Sequence, residues 1–325
     1  MSTQTILVTG ATGFIGSHLL PALQNTGCPI TVALRNHFHH APDTTLQTVK
    51  VGDIHGATDW QPALKNIHTV IHLAARAHQI HDTAADPEKA FWEVNTAGAA
   101  NLVKQSIDAG VQHFVFISSI GAMATLSPQI LTEASPCHPD TPYGHSKLAA
   151  EQALIELAQN SPMTWTILRP TLVYGSGNPG NMERLMKLIK TGLPLPFGAI
   201  QNRRSFLYVG NLVDIILRTL THPKAQNQTF ICSDGQDLST PELIQLICRC
   251  TEQPCRLIPI PLPLLRLSGK LGDAAQQLSG RSLSLNSETL ERLTGSLAVD
   301  INKLQNQLNW QPPYAIEVGL KTLFD

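Results

Sequence analysis

Tyr143 and Lys147 stand four residues apart in the run Tyr143-Gly144-His145-Ser146-Lys147, a spacing that sets a phenol and an ammonium on one face of a helix. A neighbouring cation stabilises phenolate, so a tyrosine that titrates near ~10 in isolation can exchange protons with a carbinol closer to neutral pH. Proton exchange at a carbinol is what hydride transfer to or from its carbon requires. Alone, the spacing describes no more than a solvated helix face. Upstream, however, Ser118-Ser119 follow an apolar run from His113, at the carboxyl end of a predicted strand, where ligands gather in open α/β sheets. Ser119 can hydrogen-bond the same substrate oxygen and orient it toward Tyr143, while Ser118 caps the strand end.

A second constellation, Gly10-Ala11-Thr12-Gly13-Phe14-Ile15-Gly16, follows the run Ile6 to Thr9 at once and opens a helix through Leu19, Leu20 and Leu23. A pyrophosphate needs close backbone approach and free N–H groups at a helix N-terminus, and glycines at this spacing permit both. The predicted second strand ends Val32-Ala33-Leu34-Arg35-Asn36, without a carboxylate for adenosine ribose hydroxyls. Arg35 can offer a bidentate guanidinium to a 2′-phosphate, which favours NADP(H) and leaves NAD(H) possible. Asp53, just after the third strand, can accept from the adenine amino group or serve as a turn residue.

These groups need a scaffold. Runs at Ile6 to Thr9, Ile30 to Leu34, Thr69 to Leu73, His113 to Ser118 and Thr164 to Leu168 alternate with helical patterns at Glu88 to Ala109 and Ser146 to Gln159. That alternation predicts an α/β doubly wound parallel sheet of the Rossmann type. After Arg169-Pro170 the rhythm gives way to glycine and proline, and Gln228 to Cys232 predicts a strand returning to the sheet. The predicted organisation is a dinucleotide-binding domain of residues 1–172 with 205–232, and a smaller, interleaved substrate lobe of 173–204 with 233–325. The 325 residues, 42% hydrophobic and 14% charged, suffice for such a core. A net charge of −1 without a basic stripe argues against nucleic-acid binding. Six scattered cysteines, no signal-like start and no long apolar run point to a cytoplasmic chain.

In order, these motifs resemble the extended short-chain dehydrogenase/reductases, and within them the nucleotide-sugar epimerases and 4-ketoreductases. The resemblance rests on Thr9 to Gly16, Gly52-Asp53-Ile54, His72-Leu73-Ala74-Ala75, Asn95, Ser118-Ser119, Tyr143 to Lys147, and Arg169-Pro170 through Val173-Tyr174-Gly175. It implies cofactor binding by Gly10, Thr12, Gly13, Phe14, Ile15, Gly16, Asp53, Ile54, Leu73, Ala74, Ala75, Asn95, Pro170 and Val173, beside Tyr143 and Lys147. It also implies Tyr143 as acid/base, Lys147 as ribose-binding modulator, Ser119 as substrate anchor, and Asn181 and Arg204 on the diphosphate side of a nucleotide-diphosphate sugar. A homodimer is implied as well. Two positions depart from the pattern: Leu34, where NAD-holding epimerases carry an acid, and Asn211, which replaces an aspartate after Arg204 to Val209.

The expected activity is hydride transfer at carbon 4 of a UDP-hexose or UDP-N-acetylhexosamine. Arg35 and Leu34 lean it toward a 4-ketoreductase consuming NADPH; the alternative is a 4-epimerase with retained NAD. A 4,6-dehydratase is disfavoured because Ser119 is followed by Ile120-Gly121 rather than Asp-Glu. A catalytically silent NADP-binding regulator is the rival from another class, opposed by the intact Ser119, Tyr143 and Lys147. Cys248, Cys250 and Cys255 lack a paired ligand set for zinc, and His37, His39 and His40 suit a solvated loop, so no metal is expected. The apolar stretch from Leu257 to Leu267 is expected to be lobe core rather than a membrane contact.

Overall fold

The computed structural model describes residues 4–36, 46–77, 86–178, 181–279 and 287–323, so His37, His39 and His40 lie outside it. Among the described residues ten strands run in chain order: β1 Ile6–Thr9, β2 Ile30–Leu34, β3 Leu46–Lys50, β4 Thr69–His72, β5 His113–Ile117, β6 Thr164–Pro170, β7 Leu172–Tyr174, β8 Arg204–Tyr208, β9 Gln228–Cys232 and β10 Asp237–Leu238. The helices are α1 Phe14–Gln24, α2 Gln61–Leu64, α3 Pro87–Phe91, α4 Gly98–Asp108, α5 Pro142–Ala158 and α6 Asn181–Lys190, then α7 Val209–Thr221, α8 Thr240–Cys250, α9 Leu262–Ser279, α10 Ser287–Thr294, α11 Asn302–Leu308 and α12 Ile316–Lys321.

Seven strands form one sheet in the order β3-β2-β1-β4-β5-β6-β9, every pairing parallel. This is the Rossmann-type doubly wound sheet. Alternate residues of each strand face opposite layers. Ile6, Val8, Val115 and Ile117 pack with Leu19 and Leu23 of α1 and with Ile215 and Ile216 of α7. Leu7, Phe114 and Phe116 pack with Ala99, Leu102 and Val103 of α4 and with Ala150 and Leu154 of α5. Removing each of the Val, Leu, Ile and Phe side chains from water contributes about 1.5–3 kcal/mol. Both sheet faces are therefore covered, which parallel strands require.

A second sheet, β10-β8-β7, belongs with a separate core that includes Tyr174, Met182, Phe206, Leu243, Ile247, Ile316 and Leu320. Because β9 lies between β8 and β10 in sequence yet pairs with β6, the chain leaves the small sheet, adds a strand to the large one and comes back.

The pattern from Glu88 to Ala109 predicts one continuous helix. Instead, α3 and α4 are separated by a wider, π-type turn over Trp92–Ala97. Asn95 supplies the reason. Its side chain points inward, accepts from Arg76 N at 2.7 Å, and donates to Arg76 O at 3.1 Å and to Ser146 Oγ at 3.0 Å.

Candidate functional site

The strand order reverses between β1 and β4, and there the carboxyl ends of adjacent strands diverge to leave a crevice. Gly10 leaves β1 with φ of 71°, a left-handed conformation that favours glycine. A methyl group on it would lie 2.6 Å from Ala74 N. The segments after β1 and β4, Gly10 to Gly16 and Leu73 to Ala75, therefore meet at the crevice. Gly13 caps α1 without any side-chain bond, and the first turn holds no acid, so the N–H groups of that turn are available to an anion. Thr12 and Gly13 are exposed beside half-buried Phe14 and Ile15. These residues fit a dinucleotide pyrophosphate.

At the ends of β2 and β3, Arg35 and Asp53 face each other: Arg35 Nε donates to Asp53 Oδ1 at 2.9 Å, with both side chains about three-quarters exposed. Sequence reasoning gave them separate tasks, whereas here the guanidinium already has a carboxylate. Ile54, beyond Asp53, packs so closely on Gly98 that a β-carbon there would clash with its Cγ2. Asn95 engages its polar atoms within the protein, tying the segment that follows β4 to α5.

The proton-transfer groups come together at the carboxyl end of β5. Ser119 Oγ accepts from Gly121 N at 3.0 Å and closes a tight turn. Thr141 Oγ1 accepts from Gly144 N at 3.1 Å and Pro142 occupies the first turn, so α5 starts earlier than predicted and takes Tyr143 into its first turn. A β-carbon at Gly144 would collide with the Gly121 carbonyl. Those two glycines, which sequence reasoning missed, let the helix press onto the serine turn. The Tyr143 ring there meets Phe91 edge-on at 6.0 Å.

Burial pushes the Tyr143 hydroxyl up to about 12, partly countered by Ser119. Lys147 Nζ donates to Ile117 O at 2.8 Å and lies 4.6 Å from the Phe116 ring centre. Burial lowers its ammonium to about 8, with Glu151 one turn along α5 opposing the fall. Glu151 in turn accepts from Ser118 and from Arg169 Nε at 3.0 Å. His72 completes the floor. Its Nδ1 pairs with Thr9 Oγ1 at 2.7 Å, its ring stacks on Phe116, and its Nε2 has no partner among the described residues. Burial lowers His72 to about 3, so the ring is neutral.

Residues 6–232 match the model of the NAD dependent epimerase/dehydratase family. The chain belongs to that family. A UDP-glucose 4-epimerase from Vibrio cholerae is 41% identical over 322 residues, covering 98% of this chain and 94% of the relative. An N-acetyl-alpha-D-glucosaminyl-diphospho-ditrans,octacis-undecaprenol 4-epimerase from Escherichia coli O157:H7 is 28% identical and covers 97% and 92% of the two chains. The solved UDP-glucuronic acid 4-epimerase from Bacillus cereus in complex with NAD superposes with a TM-score of 0.76, over 99% of this chain and 98% of that one, at 20% identity. This epimerase/dehydratase-family enzyme thus has the expected Rossmann-type α/β fold.

The remaining expected site residues lie in β6 and the elements after it. Arg204 opens β8, and its Nη1 donates to Arg292 O at 2.6 Å and Gly295 O at 3.3 Å; burial lowers its guanidinium. Asn181 is the first residue of α6. Pro170 ends β6 and is buried, and Val173, in β7, is half-buried. Asn211, the departure noted in the sequence, donates to Asp234 Oδ1 at 2.7 Å. Asp234 also accepts from Tyr208 N and from the Tyr174 hydroxyl, each at 3.0 Å. The carboxylate absent at position 211 is present in the same cluster, contributed by residue 234. Among the described residues no group of three or more His, Cys, Asp or Glu could hold a metal ion, and no helix is long and apolar enough to cross a membrane.

Proposed function

We propose that the enzyme interconverts the carbon-4 epimers of a UDP-hexose or UDP-N-acetylhexosamine, with NAD retained between turnovers. The observation that carries this over an NADPH-consuming 4-ketoreductase is the Arg35–Asp53 pair. A 2′-phosphate would have to compete with Asp53 for Arg35 and would bring its own negative charge beside that carboxylate. The 41% identity to a protein named UDP-glucose 4-epimerase supports the same choice. When bound, the nicotinamide dinucleotide supplies hydride acceptance and return at the sugar carbon. Tyr143 then moves the proton at the carbon-4 oxygen, Ser119 orients that oxygen, and Lys147 as an ammonium binds ribose and stabilises developing phenolate. Arg204 and Asn181 hold the diphosphate side.

Mass spectrometry of the copurified dinucleotide, with UDP-glucose turnover followed by sugar NMR, tests the proposal. Tightly held NAD and an equilibrium mixture of 4-epimers are expected; exchangeable NADP(H) consumed stoichiometrically by a 4-keto sugar would replace it with the reductase. For Arg35→Ala, the ratio of NADH to NADPH affinity is expected to stay within about threefold. A guanidinium bound to a 2′-phosphate would instead contribute about 1.5–3 kcal/mol per hydrogen bond, so its loss would weaken NADPH alone by about tenfold or more.

Arg204→Ala is expected to raise KM for the nucleotide sugar with a smaller change in kcat, since a cation facing a diphosphate binds ground and transition states alike. Steady-state kinetics beside thermal melting separates the roles. An unchanged KM with earlier melting would leave Arg204 only as the tie between β8 and the carbonyls of Arg292 and Gly295.

A further inference from the structure

The apolar stretch expected as lobe core is only partly core. In α9, Leu265 is buried, and Gly269 packs so closely on α10 that a methyl group there would meet Leu290 Cδ1 at 2.7 Å. That is the inner face. Leu264, Leu267 and Leu271 are 57%, 54% and 64% exposed, and Ile258, just before the helix, is 46% exposed. At about 100° per residue, the three leucines fall within about 60° of one another, roughly opposite Leu265 and Gly269.

Along the segment from Gln253 to Gly272 every charged residue is a cation. Arg256, Arg266 and Lys270 are exposed, and no Asp or Glu occurs between Glu252 and Asp273. None of the three cations forms an ion pair among the described residues. Arg266 and Lys270 fall on the same side of the leucine stripe, Lys270 about 60° and Arg266 about 100° from Leu267 on the wheel. A local charge of +3 on a chain of net −1 is complementary to an anionic plane, and the leucines beside it suit insertion at the level of headgroups and upper acyl chains. A second copy of this chain would set like charges against each other.

We propose that the outer face of α9 docks this enzyme on an anionic lipid bilayer, lying in the interface rather than spanning it. Leu264, Leu267 and Leu271 enter the acyl boundary, and Arg256, Arg266 and Lys270 meet the lipid phosphates. The inference is independent of which sugar or dinucleotide the crevice takes.

Cosedimentation of the full chain with phosphatidylcholine vesicles, with and without about one-third phosphatidylglycerol, tests it. Binding is expected only with the anionic lipid, and it should weaken as salt is raised. Leu264→Ser/Leu267→Ser/Leu271→Ser should lower partitioning at least about tenfold, with sugar turnover and melting temperature unchanged because these side chains are already exposed. Arg266→Gln/Lys270→Gln should lower it about 20- to 30-fold, at about fivefold per cation near an anionic surface. Absence of wild-type binding to the anionic vesicles overturns the proposal, as does binding that both variants retain. If the serine variant instead changes the oligomeric state on gel filtration while vesicle binding stays the same, the stripe is a contact between copies and the proposal fails.

Discussion

Tyr143→Phe is expected to lower turnover by about 100- to 10,000-fold, the usual cost of removing a positioned acid/base, while dinucleotide affinity stays within about threefold. The substitution deletes one hydroxyl. The ring keeps its edge-on contact with Phe91, so neither fold nor crevice should change. With the phenol held up at about 12 in the free protein, Tyr143 is not yet the base that oxidation of the carbon-4 carbinol by bound NAD first requires. Becoming a base requires an ammonium nearby, and Lys147 at about 8 can supply it. Single-turnover rates together with fluorescence titration of the dinucleotide measure both quantities. A Phe variant at near wild-type rate would take Tyr143 out of the mechanism.

Glu151→Ala is expected to cost about 3–5 kcal/mol of stability, because it strands a buried guanidinium. The Arg169 and Glu151 side chains are only 9% and 2% exposed, and Ser118 donates to the same carboxylate. Denaturant unfolding with an unchanged slope would register the loss. A second effect concerns pH. Glu151 holds Lys147 up against burial, so without it the ammonium should fall below about 8. The alkaline decline of kcat/KM, set by loss of that proton, should then move to lower pH. The stability linkage has the opposite sense. Because folding depresses Lys147 from 10.5 to about 8, its contribution is complete above 10.5, is lost as pH falls toward about 8, and is constant below. The pair Glu151→Met with Arg169→Met should recover much of the stability yet leave the alkaline limb displaced. A purely structural ion pair would restore both. An unfolding free energy within about 1 kcal/mol of wild type for Glu151→Ala would contradict the burial argument.

The parts of this architecture that were legible in the sequence are those set by local rules. β1, the glycine turn and α1 follow from a buried strand meeting a helix through residues that tolerate close approach. The spacing of Tyr143 and Lys147 is likewise a property of one helix. What escaped depends on partners distant in the chain. The π-type turn at Trp92–Ala97 exists because Asn95 reaches Arg76 and Ser146, which no periodicity reports. The carboxylate missing at Asn211 comes from Asp234, 23 residues later. Gly121 and Gly144 matter because two backbones touch. That Arg35 meets the Asp53 carboxylate depends on β2 and β3 lying side by side, which neither residue's neighbours in sequence report. Hydropathy alone could not divide α9 into an inner face on α10 and an outer face on solvent.

The late arrival of β9 has a consequence for how the molecule is made. On the ribosome, β6 emerges with one side paired to β5, and its other side waits for a strand about 60 residues downstream. At ~5–20 residues per second that interval lasts ~3–12 seconds, during which buried Ile167 and Leu168 border an open row of backbone donors and acceptors. The nascent chain is most exposed to mispairing in this window, before the sheet that carries the crevice has its final border. A helper that shields nascent chains would find its substrate here, and slower decoding between β6 and β9 would lengthen the hazard rather than relieve it.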